Sequence, residues 1–141
     1  MFEETISYSE EETADLAKRF AGSLPARQIL FLEGDLGAGK SVFARALIRE
    51  LVNDPDLTVP SPTFNLLQVY ETPEFPIWHY DLYRLKEPDE IEELSWDDAL
   101  SSGIVLIEWP EKLEHLKPEG LTIRIEPVTG SPNSRRITID S

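Results

Sequence analysis

Gly34-Asp35-Leu36-Gly37-Ala38-Gly39-Lys40-Ser41 fits the pattern G-x-x-x-x-G-K-[ST], whose residue types are those that cradle a polyphosphate. Glycines let successive backbone N–H groups turn inward around phosphate oxygens, and the start of a following helix adds partial positive charge. In such a loop Lys40 reaches the β- and γ-phosphates and the Ser41 hydroxyl sits on Mg²⁺. The flanks agree with this reading. Gln28-Ile29-Leu30-Phe31-Leu32 reads as a buried strand, and Phe43, Ala46, Leu47 and Leu51 mark one face of a helix. The competing reading, a glycine-rich turn with a solvated lysine, does not require that order of strand, loop and helix.

Hydrolysis needs more than a phosphate cradle: an acid near the metal and a group that orients the attacking water. Glu108 ends an apolar run, at the place where α/β sheets present ligand-binding groups. It is the first candidate for the Mg²⁺ side, directly or through water. Asp81 is its rival, in His79-Tyr80-Asp81-Leu82-Tyr83-Arg84, where alternation puts His79, Asp81 and Tyr83 on one face. It could hold the metal shell or orient water. For either acid taken alone, a surface carboxylate at a strand end is the competing reading. Thr63 could sense the γ-phosphate as threonines of switch loops do, or Ser61-Pro62-Thr63 could simply start a strand. His79 reads as a satisfied strand histidine, His115 as a solvated helix residue, and Trp78, Tyr80 and Tyr83 as core and interface filling.

These groups need a frame. Ser9 followed by Glu12 is a capping-box pattern, and Leu16, Ala17, Phe20, Ala21 and Leu24 follow at helical spacing, which predicts a helix from Glu10 to Gly22. A strand from Gln28 to Glu33 then enters the loop, and a second helix runs from Lys40 to Val52, stopped by Asn53-Asp54-Pro55. The prolines of Val59-Pro60-Ser61-Pro62-Thr63-Phe64 stiffen the next connection. Residues 64–71 and 77–83 form a hairpin, and residues 87–100 one or two short surface helices ended by Gly103. Ile104-Val105-Leu106-Ile107 is a central strand buried on both faces. A short helix over 111–116 and a closing hairpin of 121–126 with 135–140 complete the chain. The sum is one α/β domain, a mixed and partly parallel sheet flanked by helices.

Charge narrows the partners. Thirteen Lys and Arg stand against twenty-seven Asp and Glu among 141 residues, a net charge of −14. The long-range field repels polyanions, so a role with RNA has to pass through a protein partner or the few arginines near the carboxyl end. No stretch is apolar enough to span a membrane, and Met1-Phe2-Glu3-Glu4 is acidic where a signal peptide is basic, so a cytoplasmic location is expected. The absence of cysteine removes disulfides and thiolate chemistry.

Together these motifs resemble the TsaE (YjeE) family. The resemblance rests on the loop of residues 34–41, on Ser61-Pro62-Thr63-Phe64, on His79-Tyr80-Asp81-Leu82-Tyr83-Arg84-Leu85 and on Ile107-Glu108-Trp109-Pro110-Glu111, in that order along most of the chain. It implies a P-loop ATPase with ATP and Mg²⁺ as cofactors, slow hydrolysis, and work in threonylcarbamoyladenosine modification of tRNA inside a complex with TsaB and TsaD. It further implies Lys40, Thr63, Asp81 and Glu108 as catalytic residues and Ser41 and Glu108 as metal ligands. Nucleotide binding would fall to Leu36, Gly37, Ala38, Gly39, Lys40, Ser41 and Asp81, with Glu10 near the adenine. The chain departs from the family pattern at Ser41, where threonine is usual, and at Val42, often a second threonine; serine still offers the hydroxyl.

Two other classes compete. A small-molecule kinase needs a substrate pocket and a lid with clustered arginines, whereas Arg45, Arg49, Arg84, Arg124, Arg135 and Arg136 are scattered. A nucleotide-sensing module without turnover would carry the same loop. A GTP-dependent switch is weaker, because no Asn-Lys-x-Asp signature occurs.

Overall fold

A computed structural model describes residues 2–35, 37, 39–60, 62 and 64–140. The strands are β1 (Phe2–Ser7), β2 (Gln28–Glu33), β3 (Leu67–Tyr70), β4 (Ile77–Asp81), β5 (Ile104–Glu108), β6 (Leu121–Val128) and β7 (Ser131–Asp140). The α-helices are α1 (Glu10–Gly22), α2 (Lys40–Val52) and α3 (Trp96–Ser101). The strands form one sheet in the order β1-β7-β6-β2-β5-β4-β3. β2 pairs in parallel with β5 and β6, and β5 with β4; the outer pairs are antiparallel. The predicted mixed, partly parallel sheet is therefore observed.

Local chemistry explains why the helix limits match the sequence reading. Ser9 Oγ accepts the Glu12 N–H at 3.1 Å, and the Glu12 carboxylate reaches back to the Tyr8 N–H at 3.2 Å. Such a cap is worth about 1 kcal/mol. At the far end of α2 Asn53 turns left-handed at φ 62°, and the N–H groups of Asn53 and Asp54 close onto Glu50 and Arg49 carbonyls.

Two hydrophobic layers flank the sheet. On one face α1 and α2 cover Leu30, Leu32, Leu106 and Ile123 with Ala17, Phe43, Leu47 and Ile48. On the other, α3 and the 3₁₀ segments Pro88–Glu93 and Pro110–Leu116 cover Phe31, Tyr80, Val105 and Ile107 with Ile91, Trp96 and Leu113. β5 is buried throughout, as its unbroken apolar run requires. Gly103 makes its start possible: at φ +79° a Cβ there would lie 2.0 Å from the Pro76 carbonyl oxygen, which accepts the Ile104 N–H.

Several elements differ from the sequence reading, β4 ending at Asp81 and β7 starting at Ser131 among them. β1 was not foreseen, because Glu3, Glu4 and Thr5 mask its alternation; it is an edge strand whose Glu4 meets Arg136 of β7 at 3.5 Å. β3 begins at Leu67 rather than residue 64, since the Leu66 N–H folds back onto the Pro62 carbonyl with Leu66 left-handed at φ 65°. The 111–116 helix is 3₁₀ in form and breaks at Glu114.

Candidate functional site

The central strand β2 leads into the glycine-rich loop. Gly37 and Gly39 adopt φ +81° and +104°, left-handed values that β-carbons resist, so the loop can present N–H groups to its concave side. Gly39 is the N-cap of α2, and Lys40 and Ser41 occupy its first turn. Leu36, Ala38, Ser61 and Thr63 lie outside the described residues, and with them the sequence reading of Thr63 as a switch residue.

Sheet register brings the acids to this loop. β5 lies beside β2 and β4 beside β5, with Leu32 opposite Glu108 and Glu108 opposite Asp81. Both acids end their strands on the face covered by α2, and both are buried, at 5% exposure for Asp81 and 6% for Glu108. Asp81 Oδ1 accepts the Tyr83 N–H at 3.1 Å, which turns the chain out of β4. His79 and Asp81 thus share a face as expected, but Tyr83 lies beyond the strand. It is half-exposed and packs its ring 5.0 Å from that of Trp109.

Lys40 is the electrostatic centre. Its side chain is buried, and among the described residues its Nζ has no hydrogen-bond partner. The ammonium sits 3.9 Å from the centre of the Trp109 ring. Burial lowers its pKa, opposed by the charges of Glu108, Asp81, Glu111 and Asp35. A buried ammonium without a hydrogen-bonding anion costs stability in the free protein, and it is a ready receptor for a negatively charged ligand.

Glu10, Gly37, Gly39, Lys40, Ser41, Asp81 and Glu108 all line one cavity of about 380 Å³, with Trp109 and Arg84 on its wall. A second cavity, about 230 Å³, shares Glu10, Gly37 and Gly39 with the first and extends past Tyr8, Asn133 and Arg135. One of its residues escaped the sequence reading, and another, Arg135, was read together with Arg136 as a candidate for phosphate or partner contact against a solvated strand-end charge. Tyr8 belongs to the chain between the unforeseen β1 and α1. Arg135 is brought by β7 to 3.7 Å from where a Gly39 Cβ would stand, whereas Arg136 points to Glu4. Trp109 was recognisable as part of a motif, but nothing in its spacing pointed to Lys40.

The donor set fits a nucleotide polyphosphate and a small hard cation. An ammonium with no hydrogen-bond partner among the described residues and left-handed glycines suit the phosphates, and the Ser41 hydroxyl with the Glu108 and Asp81 carboxylates offers oxygen ligands. Among the described residues no three acids or histidines converge into an all-protein metal cage. Mg²⁺ takes one or two protein carboxylates and completes its shell with phosphates and water.

Fold and site define an α/β protein built around a glycine-rich strand–loop–helix unit with two acids at neighbouring strand ends. The family described as "Threonylcarbamoyl adenosine biosynthesis protein TsaE" matches residues 7–137, and the chain belongs to this family. It is 51% identical over 118 residues to the tRNA threonylcarbamoyladenosine biosynthesis protein TsaE of Rickettsia bellii, covering 84% of this chain and 81% of that one. It is 34% identical over 139 residues to the protein of the same name from Aquifex aeolicus, covering 99% and 96%. The crystal structure of Bacillus subtilis YdiB superposes with a TM-score of 0.78 at 28% identity, over 100% of this chain and 86% of that one. No helix among the described residues is long and apolar enough to cross a membrane.

Proposed function

We propose that this chain is an ATP-binding and ATP-hydrolysing subunit in threonylcarbamoyladenosine modification of tRNA, acting through protein partners similar to TsaB and TsaD. The observation that carries the reading is the buried Lys40 ammonium, with no hydrogen-bond partner among the described residues, in a cavity lined by the loop glycines and two register-paired acids. The relatives' names supply the pathway.

In this reading the loop N–H groups and Lys40 bind the β- and γ-phosphates. Ser41 and Glu108 would hold Mg²⁺, which supplies neutralisation of phosphate charge when bound. Asp81, two residues beyond His79 on β4, orients the attacking water. The cavity beside Glu10, Tyr8 and Arg135 has room for the nucleoside. The net charge of −14 argues that tRNA is reached through partner proteins rather than by direct attraction.

The test is calorimetric titration of ATP into the protein with Mg²⁺, followed by phosphate release with and without the partner proteins. Binding with turnover that rises on adding partners supports the proposal. Phosphoryl transfer to a small molecule without partners would favour a kinase, and binding without turnover a sensing module.

A further inference from the structure

His79 of β4 and Glu108 of β5 are both buried, at 2% and 6% exposure, and His79 Nε2 lies 2.7 Å from Glu108 Oε2. The other ring nitrogen, Nδ1, is buried with no hydrogen-bond partner among the described residues. The short contact bears on where the ring proton sits. A bare Nε2 lone pair facing a carboxylate oxygen at this distance would repel it, so Nε2 carries the proton and donates.

The contact also divides the carboxylate. Oε2 is occupied by His79, which leaves Oε1 as the Glu108 oxygen with its lone pairs uncommitted to the imidazole. We infer that His79 is a positioning residue: its Nε2–H holds Oε2 and so fixes the plane and rotamer from which Oε1 serves the nucleotide's divalent cation. This rests on the proposed nucleotide reading. Supporting groups of this kind, which orient a ligand without touching the metal, typically alter metal affinity 10- to 100-fold when removed.

The experiment has two arms. In the first, ATP affinity of the parent, His79→Ala and His79→Gln is measured by calorimetry in EDTA and in Mg²⁺. The expected result is unchanged affinity in EDTA, at least a tenfold smaller Mg²⁺ enhancement in His79→Ala, and recovery of most of it in His79→Gln, whose amide can still donate. A full Mg²⁺ enhancement in His79→Ala, an equal loss with and without Mg²⁺, or no recovery in His79→Gln would overturn the inference. The second arm needs no nucleotide and no alanine variant. His115 is exposed, so His115→Gln leaves one histidine, and ¹⁵N NMR of its ring should report the Nε2–H tautomer, with the Nε2 shift moving in the Glu108→Gln background. An Nδ1–H tautomer would overturn the inference while leaving the nucleotide reading intact. Failure of the parent to bind ATP beside the expected tautomer would overturn the nucleotide reading, and with it the assignment of Oε1 to a cation.

Discussion

The Lys40 ammonium rests 3.9 Å from the centre of the Trp109 ring, so the charge proposed to bind phosphate lies against an aromatic face. A desolvated cation–π contact is worth about 2 kcal/mol, and each charge-assisted hydrogen bond to phosphate about 1.5–3 kcal/mol. Arrival of a polyphosphate should therefore draw the ammonium off the indole. ATP is expected to change tryptophan emission in the parent and not in Trp109→Phe, although Trp78 and Trp96 remain. An identical change in both proteins would contradict this.

Lys40 should cost stability while serving binding. Lys40→Met is expected to weaken ATP binding roughly ten- to hundredfold, the equivalent of about 1.5–3 kcal/mol, while its melting temperature equals or exceeds the parent's. The sign of the pH dependence follows from the lowered pKa. The unfolded chain keeps a proton up to 10.5 that the folded lysine gives up earlier. This group's contribution to stability therefore rises with pH across the alkaline window below that value, and Lys40→Met should lack the rise. Thermal melts in that window read it directly; a melting temperature clearly below the parent's would refute the cost assigned to Lys40.

The paired acids should separate. Glu108→Gln is expected to raise the Mg²⁺ concentration needed for half-maximal phosphate release, and Asp81→Asn to lower kcat with a smaller effect on ATP affinity. Steady-state kinetics over a Mg²⁺ series distinguishes the two, and matching phenotypes would remove the division of roles.

Arg135 and Arg136 adjoin in sequence but differ in surroundings. Arg135 lines the cavity next to Gly39, whereas Arg136 meets Glu4 across the sheet edge. Arg135→Ala should weaken nucleotide binding several-fold, and Arg136→Ala should leave it within twofold, because an exposed ion pair contributes about 0–1 kcal/mol to stability and nothing to the cavity. Equal effects of the two in calorimetry would contradict the placement.

What was legible in the sequence follows the range of the interactions. The limits of α1, β2 and α2 are set by Ser9, the loop glycines and Asn53 acting on near neighbours, and those residues announce themselves. The central position of β5 was legible because burial on both faces leaves an unbroken apolar run. β1 was not legible, since an edge strand can carry Glu3 and Glu4 outward and owes its place to pairing with β7 at the other end of the chain. The site divides in the same way. The loop and the two acids were recognisable by type and position, but the His79–Glu108 contact joins residues 29 apart in sequence. Trp109 under Lys40 and Arg135 beside Gly39 depend on strand order, which composition does not encode. His79 was expected to be a satisfied strand histidine; one of its nitrogens bonds Glu108 of the neighbouring strand, and the other has no partner among the described residues.

The central claim is that nucleotide held by Lys40 drives tRNA modification. It is tested most directly by measuring threonylcarbamoyladenosine formed in tRNA by the partner proteins with ATP, supplied with either the parent chain or Lys40→Ala. The account predicts modification with the parent and a loss of at least tenfold with Lys40→Ala, at matched amounts of folded protein. Equal modification with the two proteins would contradict it.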